Sequence, residues 1–166
     1  MTTMLCIDPG KKYAGWAVFQ GRTLVLAGVE TSMRDIMDPS LRVAWEIWRH
    51  ACNPHRVDVF VGELPAHRGL HERSSYNSNV LPLVTMVNTI KGVCCHQDSV
   101  VKLPTPIEWK GNTSGDAFLG SIRRRLTREE RQVLIDAGES GRFRPSMLEH
   151  ALDAAGLGLW YLGRRG

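Results

Sequence analysis

The chain has 166 residues, of which 43% are hydrophobic and 7% aromatic, and its 21 Lys and Arg against 17 Asp and Glu give a formal charge of +4. This composition is typical of a globular domain and excludes a long multidomain protein. A chain of this length buries about 68–70% of the surface that its unfolded form exposes, which suffices for a core without disulfides or a structural metal. We therefore expect one domain over residues 1–166.

The sequence predicts a cytoplasmic protein with no membrane contact. The longest apolar run, Ala154 to Leu162, falls short of the roughly 18 residues that a membrane span needs. The segment Met1 to Pro9 lacks the basic start and apolar stretch of a secretory signal. None of the four cysteines has zinc-ligand spacing, so reduced thiols are expected.

The positive charge is unevenly distributed along the chain. Residues 1–63 carry as many acidic as basic side chains, so the whole excess lies beyond Glu63. Such an excess fits an ordinary solubilising surface as well as a nucleic-acid-binding surface. By itself it does not distinguish the two.

The first thirty residues predict an antiparallel three-stranded meander. Apolar residues of Met4–Ile7, Ala14–Phe19 and Thr23–Val29 form the strands, and the turn between the first two is Asp8-Pro9-Gly10-Lys11-Lys12. Asp38 followed by Pro39 then signals a helix start, and Asn53-Pro54 signals its end. Apolar residues at helical spacing predict one stripe facing the sheet: Met37, Leu41, Ala44, Trp48 and Ala51.

The middle of the chain predicts a buried strand, a polar loop, a second long helix and a fifth strand. The strand is Val57–Val61, followed directly by Gly62-Glu63. Residues 65–79 are polar and irregular. The helix runs from Val80 to Cys94, and the strand from Ser99 to Leu103.

In the last third of the chain, capping residues predict where helices begin. Asp116 and Thr127 can each cap a short helix, and Thr127 with Glu130 has the pattern of a capping box. Ser146 with Glu149 has the same pattern and predicts the start of the final helix.

Two carboxylates follow strands that are expected to be neighbours. Asp8 ends the first strand, although Asp at such a place also serves the turn itself. Glu63 follows the fourth strand, and a parallel pairing of these strands would set the two acids side by side. Adjacent carboxylates repel unless a cation lies between them, and hard oxygen ligands suit Mg²⁺. A metal site at these strand ends is the resulting hypothesis.

The final helix offers further ligands. His150 and Asp153 are three residues apart and share a helix face. The alternative is that Asp153 is a solvated surface residue and His150 a packed one. Glu149 could join the site, but a capping box with Ser146 explains it as well.

Four motifs in order resemble the RuvC-type crossover-junction endonucleases of the RNase H-like superfamily, and more narrowly their small phage-encoded relatives. The motifs are Ile7-Asp8-Pro9-Gly10 through Gly15-Trp16-Ala17, Gly62-Glu63, Pro106-Ile107-Glu108-Trp109-Lys110-Gly111, and His150 through Gly158. This resemblance implies an α/β RNase H-like fold with a mixed five-stranded sheet, strands one to three antiparallel, and helices on both faces.

The resemblance also implies an active site. Asp8, Glu63 and Asp153 would be its metal-binding acids, His150 would match a fourth ligand position that is Asp or His in different members, and Lys110 would match a basic residue near the scissile strand. Two Mg²⁺ ions, with Mn²⁺ as a substitute, would serve hydrolysis of a DNA phosphodiester. The substrate would be a four-way junction or other branched DNA, cut by a symmetric homodimer that pairs through the second long helix.

Basic and aromatic residues are the expected DNA contacts. The full set is Lys11, Lys12, Arg68, Arg73, Tyr76, Lys110, Arg123, Arg124 and Arg125. Arg123 to Arg125 can equally form a solvated face paired with Glu129 and Glu130. Where the family places a wedging aromatic soon after its second acid, this chain has Leu64-Pro65-Ala66-His67, and a second family lysine is absent around Gly115–Phe118. Tyr76 and the nearby histidines are then the residues available for stacking.

Two alternatives to the junction nuclease remain from the sequence. One is an RNase H-like nuclease that trims structured RNA, and the other is a structure-selective DNA-binding protein without cleavage. The second is disfavoured because a binding module has no reason to gather acids where phosphate must approach.

Overall fold

The computed structural model describes residues 1–31, 38–52, 56–65, 80–113, 115–141 and 143–164. The strands in these ranges are β1 (Thr3–Asp8), β2 (Tyr13–Gln20), β3 (Thr23–Thr31), β4 (Val57–Gly62) and β5 (Cys95–Lys102). The α-helices there are α1 (Pro39–Ile47), α2 (Leu81–Cys94), α3 (Pro106–Lys110), α4 (Gly115–Arg125), α5 (Arg128–Glu139) and α6 (Leu148–Tyr161). Over the same ranges, no helix combines the length and the apolar character that crossing a membrane requires.

The five strands form one mixed sheet in the order β3-β2-β1-β4-β5. β1 pairs antiparallel with β2, and β2 with β3, whereas β1 pairs parallel with β4, and β4 with β5. The predicted meander and mixed sheet are therefore confirmed. The fifth strand begins at Cys95, earlier than the predicted Ser99, because this largely exposed edge strand shows no apolar alternation at its start.

Alternation along the strands sends side chains to two separate cores. Met4 and Cys6 of β1 pack on the face covered by α4, α5 and α6. Leu5 and Ile7 point to the other face, where α1 and α2 cover them. Burial of each large side chain contributes about 1.5–3 kcal/mol, so both faces hold the sheet in place. The expected helices on both faces are confirmed.

Helix α1 begins as predicted and buries part of the predicted stripe, including Ala44, with Ala51 buried in the turn that follows it. The Asp38 carboxylate accepts a hydrogen bond from the Ser40 N–H at 2.8 Å and so caps the helix. Leu41, predicted to face the sheet, is 44% exposed, whereas Val43 and Ile47 are buried. The helix contacts α2 and β3, and these neighbours, rather than the longest apolar series, select the buried face. Met37 and Asn53-Pro54 lie outside the described residues.

Of the three predicted helix caps, one is confirmed. Thr127 caps α5 in a capping box with Glu130. Asp116 lies inside the first turn of α4 and not before it. Ser146 does not cap α6, because a 3₁₀ turn over Pro145–Met147 precedes that helix and its N-terminus has no side-chain cap.

A glycine in β2 lets α6 lie directly against the sheet. Gly15 is the register partner of Asp8, and a Cβ added to Gly15 would lie 2.0 Å from the carbonyl oxygen of His150. No real Cβ contact is that short, so any larger residue must push the start of α6 away. The position of the α6 side chains beside Asp8 therefore depends on this glycine.

Replacing Gly15 by Ala should destabilise the protein by about 1–3 kcal/mol, because overpacking a close contact forces backbone shifts. Chemical denaturation of the purified variant measures this change. Gly92→Ala in α2 is the matched control, because its added methyl group meets nothing within 4 Å, and it should stabilise the protein by about 0.5–1 kcal/mol. Equal stability of Gly15→Ala and wild type would contradict the close approach of α6.

Candidate active site

The parallel pairing of β1 with β4 places Asp8 and Glu63 side by side, as predicted. Ile7 is the register partner of Gly62, and the Glu63 N–H donates to the Ile7 carbonyl oxygen at 3.0 Å. Strand alternation continues from Cys6 to Asp8, so the Asp8 carboxylate lies on the face that α6 covers. Both acidic side chains are largely buried, with Asp8 10% and Glu63 13% exposed.

Helix α6 adds His150 and Asp153 to this edge of the sheet. The His150 Nδ1 lies 3.5 Å from the Asp8 Oδ2, and its imidazole ring lies 5.6 Å, centroid to centroid, from the Tyr13 ring. His150 therefore faces the acids and is not simply a packed core residue. Glu149 is exposed and forms no capping box with Ser146, so neither explanation considered for it gains support.

Lys110, at the end of α3, reaches two of the three acids. Its Nζ lies 3.1 Å from the Asp153 Oδ2 and 3.5 Å from the Glu63 Oε2. The ammonium also lies 4.6 Å from the centroid of the Trp109 ring. The structure thus brings five residues predicted for the site into one cluster: Asp8, Glu63, Lys110, His150 and Asp153.

Trp109 belongs to this cluster, although no role of its own was predicted for it from the sequence. Its indole N–H donates to the Glu63 Oε2 at 2.7 Å, and its ring packs edge-on against Phe118 at 5.1 Å. A buried aromatic thus fixes the orientation of a carboxylate. Its position next to Lys110 in the sequence could have indicated a role in the site. A tryptophan in a short helix is equally expected in the core, however, and Trp109 lies there as well.

Burial and mutual repulsion shift the pKa values of the clustered groups. Burial, and then the Asp8 carboxylate, raise the pKa of Glu63 and raise that of Asp153 to about 6. The hydrogen bond to Asp8 raises the pKa of His150. Burial acts to lower the pKa of Lys110, but the carboxylates of Glu63, Asp153 and Asp8 outweigh it and the net pKa is raised. Ionisation of Glu63 and of Asp153 thus costs free energy that a bound cation would offset.

The chemistry of these donors suits Mg²⁺. Three carboxylates supply hard oxygen atoms, which are the ligands Mg²⁺ prefers, and the Lys110 ammonium already lies against two of them where a cation is needed. Among the residues that the structure describes, no group of three or more His, Cys, Asp and Glu side chains stands ready to hold a metal.

The predicted DNA contacts fall into three groups. Lys11 and Lys12 are exposed in the turn directly after Asp8. Arg123 and Arg124 are exposed at the end of α4, and Arg124 shares a cavity of about 330 Å³ with Lys110. Three further predicted contacts lie outside the described residues: Arg68, Arg73 and Tyr76.

Arg125 has a structural role that the sequence did not reveal. Its guanidinium donates to the carbonyl oxygens of Ser121, at 3.4 Å, and Arg164, at 3.2 Å. Glu130 is 1% exposed and pairs with Arg164, whose two terminal nitrogens lie 2.6 and 2.7 Å from its carboxylate oxygens. The acid expected to pair with the arginine cluster is therefore paired with the end of the chain.

No protein-family model and no curated protein matches the sequence. Solved structures of three resolvases match over 98% of the chain. RuvC of Thermus thermophilus with its Holliday junction substrate has 14% sequence identity, a TM-score of 0.58 and 93% of its chain covered. Fowlpox virus resolvase with Holliday junction DNA has 19% identity, a TM-score of 0.59 and 97% covered.

The third structure is the yeast mitochondrial Holliday junction resolvase Ydc2, with 13% identity, a TM-score of 0.51 and 82% of its chain covered. Likeness at these low identities establishes the fold. The expected mixed five-stranded sheet with helices on both faces is thereby confirmed as the fold that these solved structures share.

Asp153→Asn should make the metal-free protein more stable above pH 6. The folded-state pKa of Asp153, about 6, exceeds its ordinary value of 3.8, so the wild-type protein loses stability as the pH rises through that window. The variant lacks this loss and should gain at most about 3 kcal/mol at pH 7.5 and nothing near pH 4. Denaturation at both pH values in the presence of a chelator measures the difference.

Asp98→Asn serves as the control, because Asp98 is 85% exposed on the edge strand β5. It should show no comparable pH-dependent gain. If wild type and Asp153→Asn have the same stability at both pH values, the buried Asp153 carboxylate does not destabilise the folded protein and the prediction is wrong.

Proposed function

We propose that this chain, as one nuclease domain, is a metal-dependent endonuclease that cleaves phosphodiester bonds in four-way junctions or other branched DNA. The observation that carries the proposal is the convergence of four titratable side chains from β1, β4 and α6 at one edge of the sheet: Asp8, Glu63, His150 and Asp153. The fold supports it further, because proteins of the same fold have been solved with Holliday junction DNA.

Asp8, Glu63 and Asp153 would hold two Mg²⁺ ions, for which Mn²⁺ should substitute. Bound there, the ions would supply Lewis acidity toward the scissile phosphate and lower the pKa of water. Placement of the acids on two strand ends and one helix suits this work, since rigid elements hold ligands more accurately than loops do. The hydrogen bond from Trp109 would keep the Glu63 carboxylate oriented toward the site.

His150 would act beside Asp8, either as a ligand or by orienting the attacking water. Its Nδ1 lies within 3.5 Å of the Asp8 carboxylate, and the pKa of its ring is raised by that contact. An imidazole with a raised pKa next to the reacting water is suited to proton transfer near neutral pH. Either role requires the close approach of α6 to the sheet that Gly15 permits.

Backbone phosphates would be bound by the basic residues that surround this edge of the sheet. Lys11, Lys12, Arg123 and Arg124 are exposed on the protein surface. Arg125 is a weaker candidate for a phosphate contact, because its guanidinium already donates to two carbonyl oxygens. Contacts from Arg68 and Arg73 and stacking by Tyr76 remain predictions from the sequence.

Symmetric incision of a junction requires two active sites, so we propose a C₂ homodimer. Helix α2 presents Leu81 at its start with 54% of its surface exposed, and α1, packed beside α2, presents Trp45 with 54% exposed. Large apolar side chains at such exposure are suited to an interface between subunits. The outer side of α1 and α2 is thus the proposed dimer surface.

Asp8→Asn, Glu63→Gln and Asp153→Asn should each reduce cleavage of a synthetic four-way junction by at least about 100-fold, because each removes a metal ligand. Junction binding in Ca²⁺ should be largely retained, since the phosphate contacts remain. Gel assays of cleavage and fluorescence anisotropy of binding measure the two effects. Glu149→Gln is the matched control: it removes an exposed acid next to His150 and should cleave normally.

The same assay should include linear duplex DNA and hairpin RNA as substrates. Near wild-type cleavage by any of the three acid variants would show that the assigned site is wrong. Cleavage of the RNA in preference to the junction would favour the RNA-trimming alternative, and tight junction binding with no cleavage in Mg²⁺ or Mn²⁺ would favour a non-catalytic binding protein.

The protein should run as a dimer in solution, and Leu81→Glu should convert it to a monomer, as measured by sedimentation. Ile135→Glu is the control, because Ile135 is similarly exposed, at 50%, but lies on α5 across the sheet. A wild-type monomer, both alone and on DNA, would contradict paired incision.

Junction affinity measured in Ca²⁺ should fall steeply with salt, with a slope in log K against log[salt] of about 0.9 per phosphate neutralised. Arg124→Glu should flatten this slope, since it removes one cation per subunit and adds an anion. Binding to a four-way junction no tighter than to a duplex of equal length would refute the proposed substrate.

A further inference from the structure

Lys110 is held in the cluster by contacts on several sides. Its Nζ donates to the Asp153 Oδ2 at 3.1 Å and lies 3.5 Å from the Glu63 Oε2. It also lies over the faces of two aromatic rings, at 4.6 Å from the centroid of Trp109 and 5.8 Å from that of Phe118. The side chain is only 25% exposed. An ammonium in such surroundings neutralises the acids and is not simply a surface charge awaiting DNA.

Lys110 uses the same oxygen atoms that a metal ion would need. The Glu63 Oε2 accepts from the indole of Trp109 and faces the Lys110 ammonium, and the Asp153 Oδ2 accepts from that ammonium directly. A divalent cation bound between these carboxylates and an ammonium at 3.1 Å from one of them would repel each other strongly. Lysine and metal therefore compete for one place.

The structure also offers the displaced side chain a second place. A cavity of about 330 Å³ opens beside Lys110 and is lined by Thr113, Ser121 and Arg124. Its hydroxyl and guanidinium groups are suited to a phosphate oxygen, and a lysine turned toward it would gain a phosphate as partner in place of the two carboxylates. The single side chain thus lies between the metal-binding acids and a polar, basic cavity.

We propose that Lys110 is a resident cation: it holds the acids together in the metal-free protein, and metal and DNA together transfer it from the carboxylates to the phosphate backbone. This inference rests on the proposed metal site. DNA, by drawing Lys110 away, raises the affinity for metal, and metal, by releasing Lys110, raises the affinity for DNA by the same factor. The site is then loaded efficiently only when substrate is present.

The test compares Mn²⁺ binding to wild type and to Lys110→Met, without DNA and at fixed pH and ionic strength, by electron paramagnetic resonance. Removal of the competing cation should tighten Mn²⁺ binding by about tenfold, the gain expected if the competent state is about one tenth populated in wild type. Lys110→Arg, which keeps the charge, should bind Mn²⁺ as weakly as wild type. Arg124→Met removes an exposed cation that forms no ion pair with an acid in the described ranges, and it should leave Mn²⁺ binding unchanged.

The linkage to DNA is measured on the same variants by fluorescence anisotropy with a four-way junction. Ca²⁺ should increase the junction affinity of wild type several-fold, and this increase should be smaller in Lys110→Met. Equal Mn²⁺ affinities of wild type and Lys110→Met, together with an unchanged effect of Ca²⁺, would overturn the inference and leave the metal site standing. Absence of Mn²⁺ binding in every variant would refute the metal site, and the inference with it.

A measurement on the wild-type protein needs only the conservative variant Lys110→Arg, for assignment of the signal. With lysines labelled at Cε, the Lys110 signal, assigned by its loss in Lys110→Arg, should shift when Mg²⁺ is added and shift again with junction DNA. If the chemical shift of Lys110 does not change at Mg²⁺ concentrations that support cleavage, the inference is overturned.

Discussion

Repulsion among three partly buried carboxylates is the constraint on which the rest of this structure depends. Burial raises the pKa of Glu63 and of Asp153, and repulsion from the Asp8 carboxylate raises both further. The fold tolerates this cost because rigid elements hold the acids, and because the Lys110 ammonium lies against Asp153 and Glu63. The His150 ring lies 3.5 Å from the Asp8 carboxylate. A cluster that costs stability in the metal-free protein is typical of a binding site, where the ligand recovers the energy.

The same constraint explains why glycine and small residues recur where α6 meets the sheet. Gly15 faces the backbone of His150, and Gly158 lies so near Phe19 that an added Cβ would come within 2.2 Å of its ring. These close approaches fix both ends of α6 against β2. Because Asp153 lies between them on the helix, its carboxylate is held near Asp8 by packing even though electrostatic repulsion pushes the two apart. The apolar core thus supplies the force that assembles the acids.

The sequence predicts well those features that depend on local periodicity. Strand alternation placed Asp8 and Glu63 at neighbouring strand ends, and helical spacing placed His150 and Asp153 on one face. Sequence-based prediction failed where tertiary contacts determine which side chains are buried. Helix α1 buries Val43 and not Leu41, because its contact with α2 determines which of its faces is buried.

Other features carry no local signal at all. The hydrogen bond from Trp109 to Glu63 joins residues 46 positions apart. A 3₁₀ turn precedes α6 in place of the capping box predicted for Ser146. Long-range pairing of this kind cannot be read from spacing. The motif resemblance could supply the order of the elements and the roles of the acids, but it could not supply these contacts.

Counting charges also overstates the surface available to DNA. Arg164 is occupied by the buried Glu130, and Arg125 by backbone carbonyl oxygens, so both arginines stabilise the junction of α4, α5 and the end of the chain. Lys110 is occupied by the acids in the metal-free protein. The net charge of +4 therefore includes cations that face protein groups. A cation can bind phosphate only if it can leave its protein partners. Lys110 meets this condition, because its partners are the acids that a metal ion would bind.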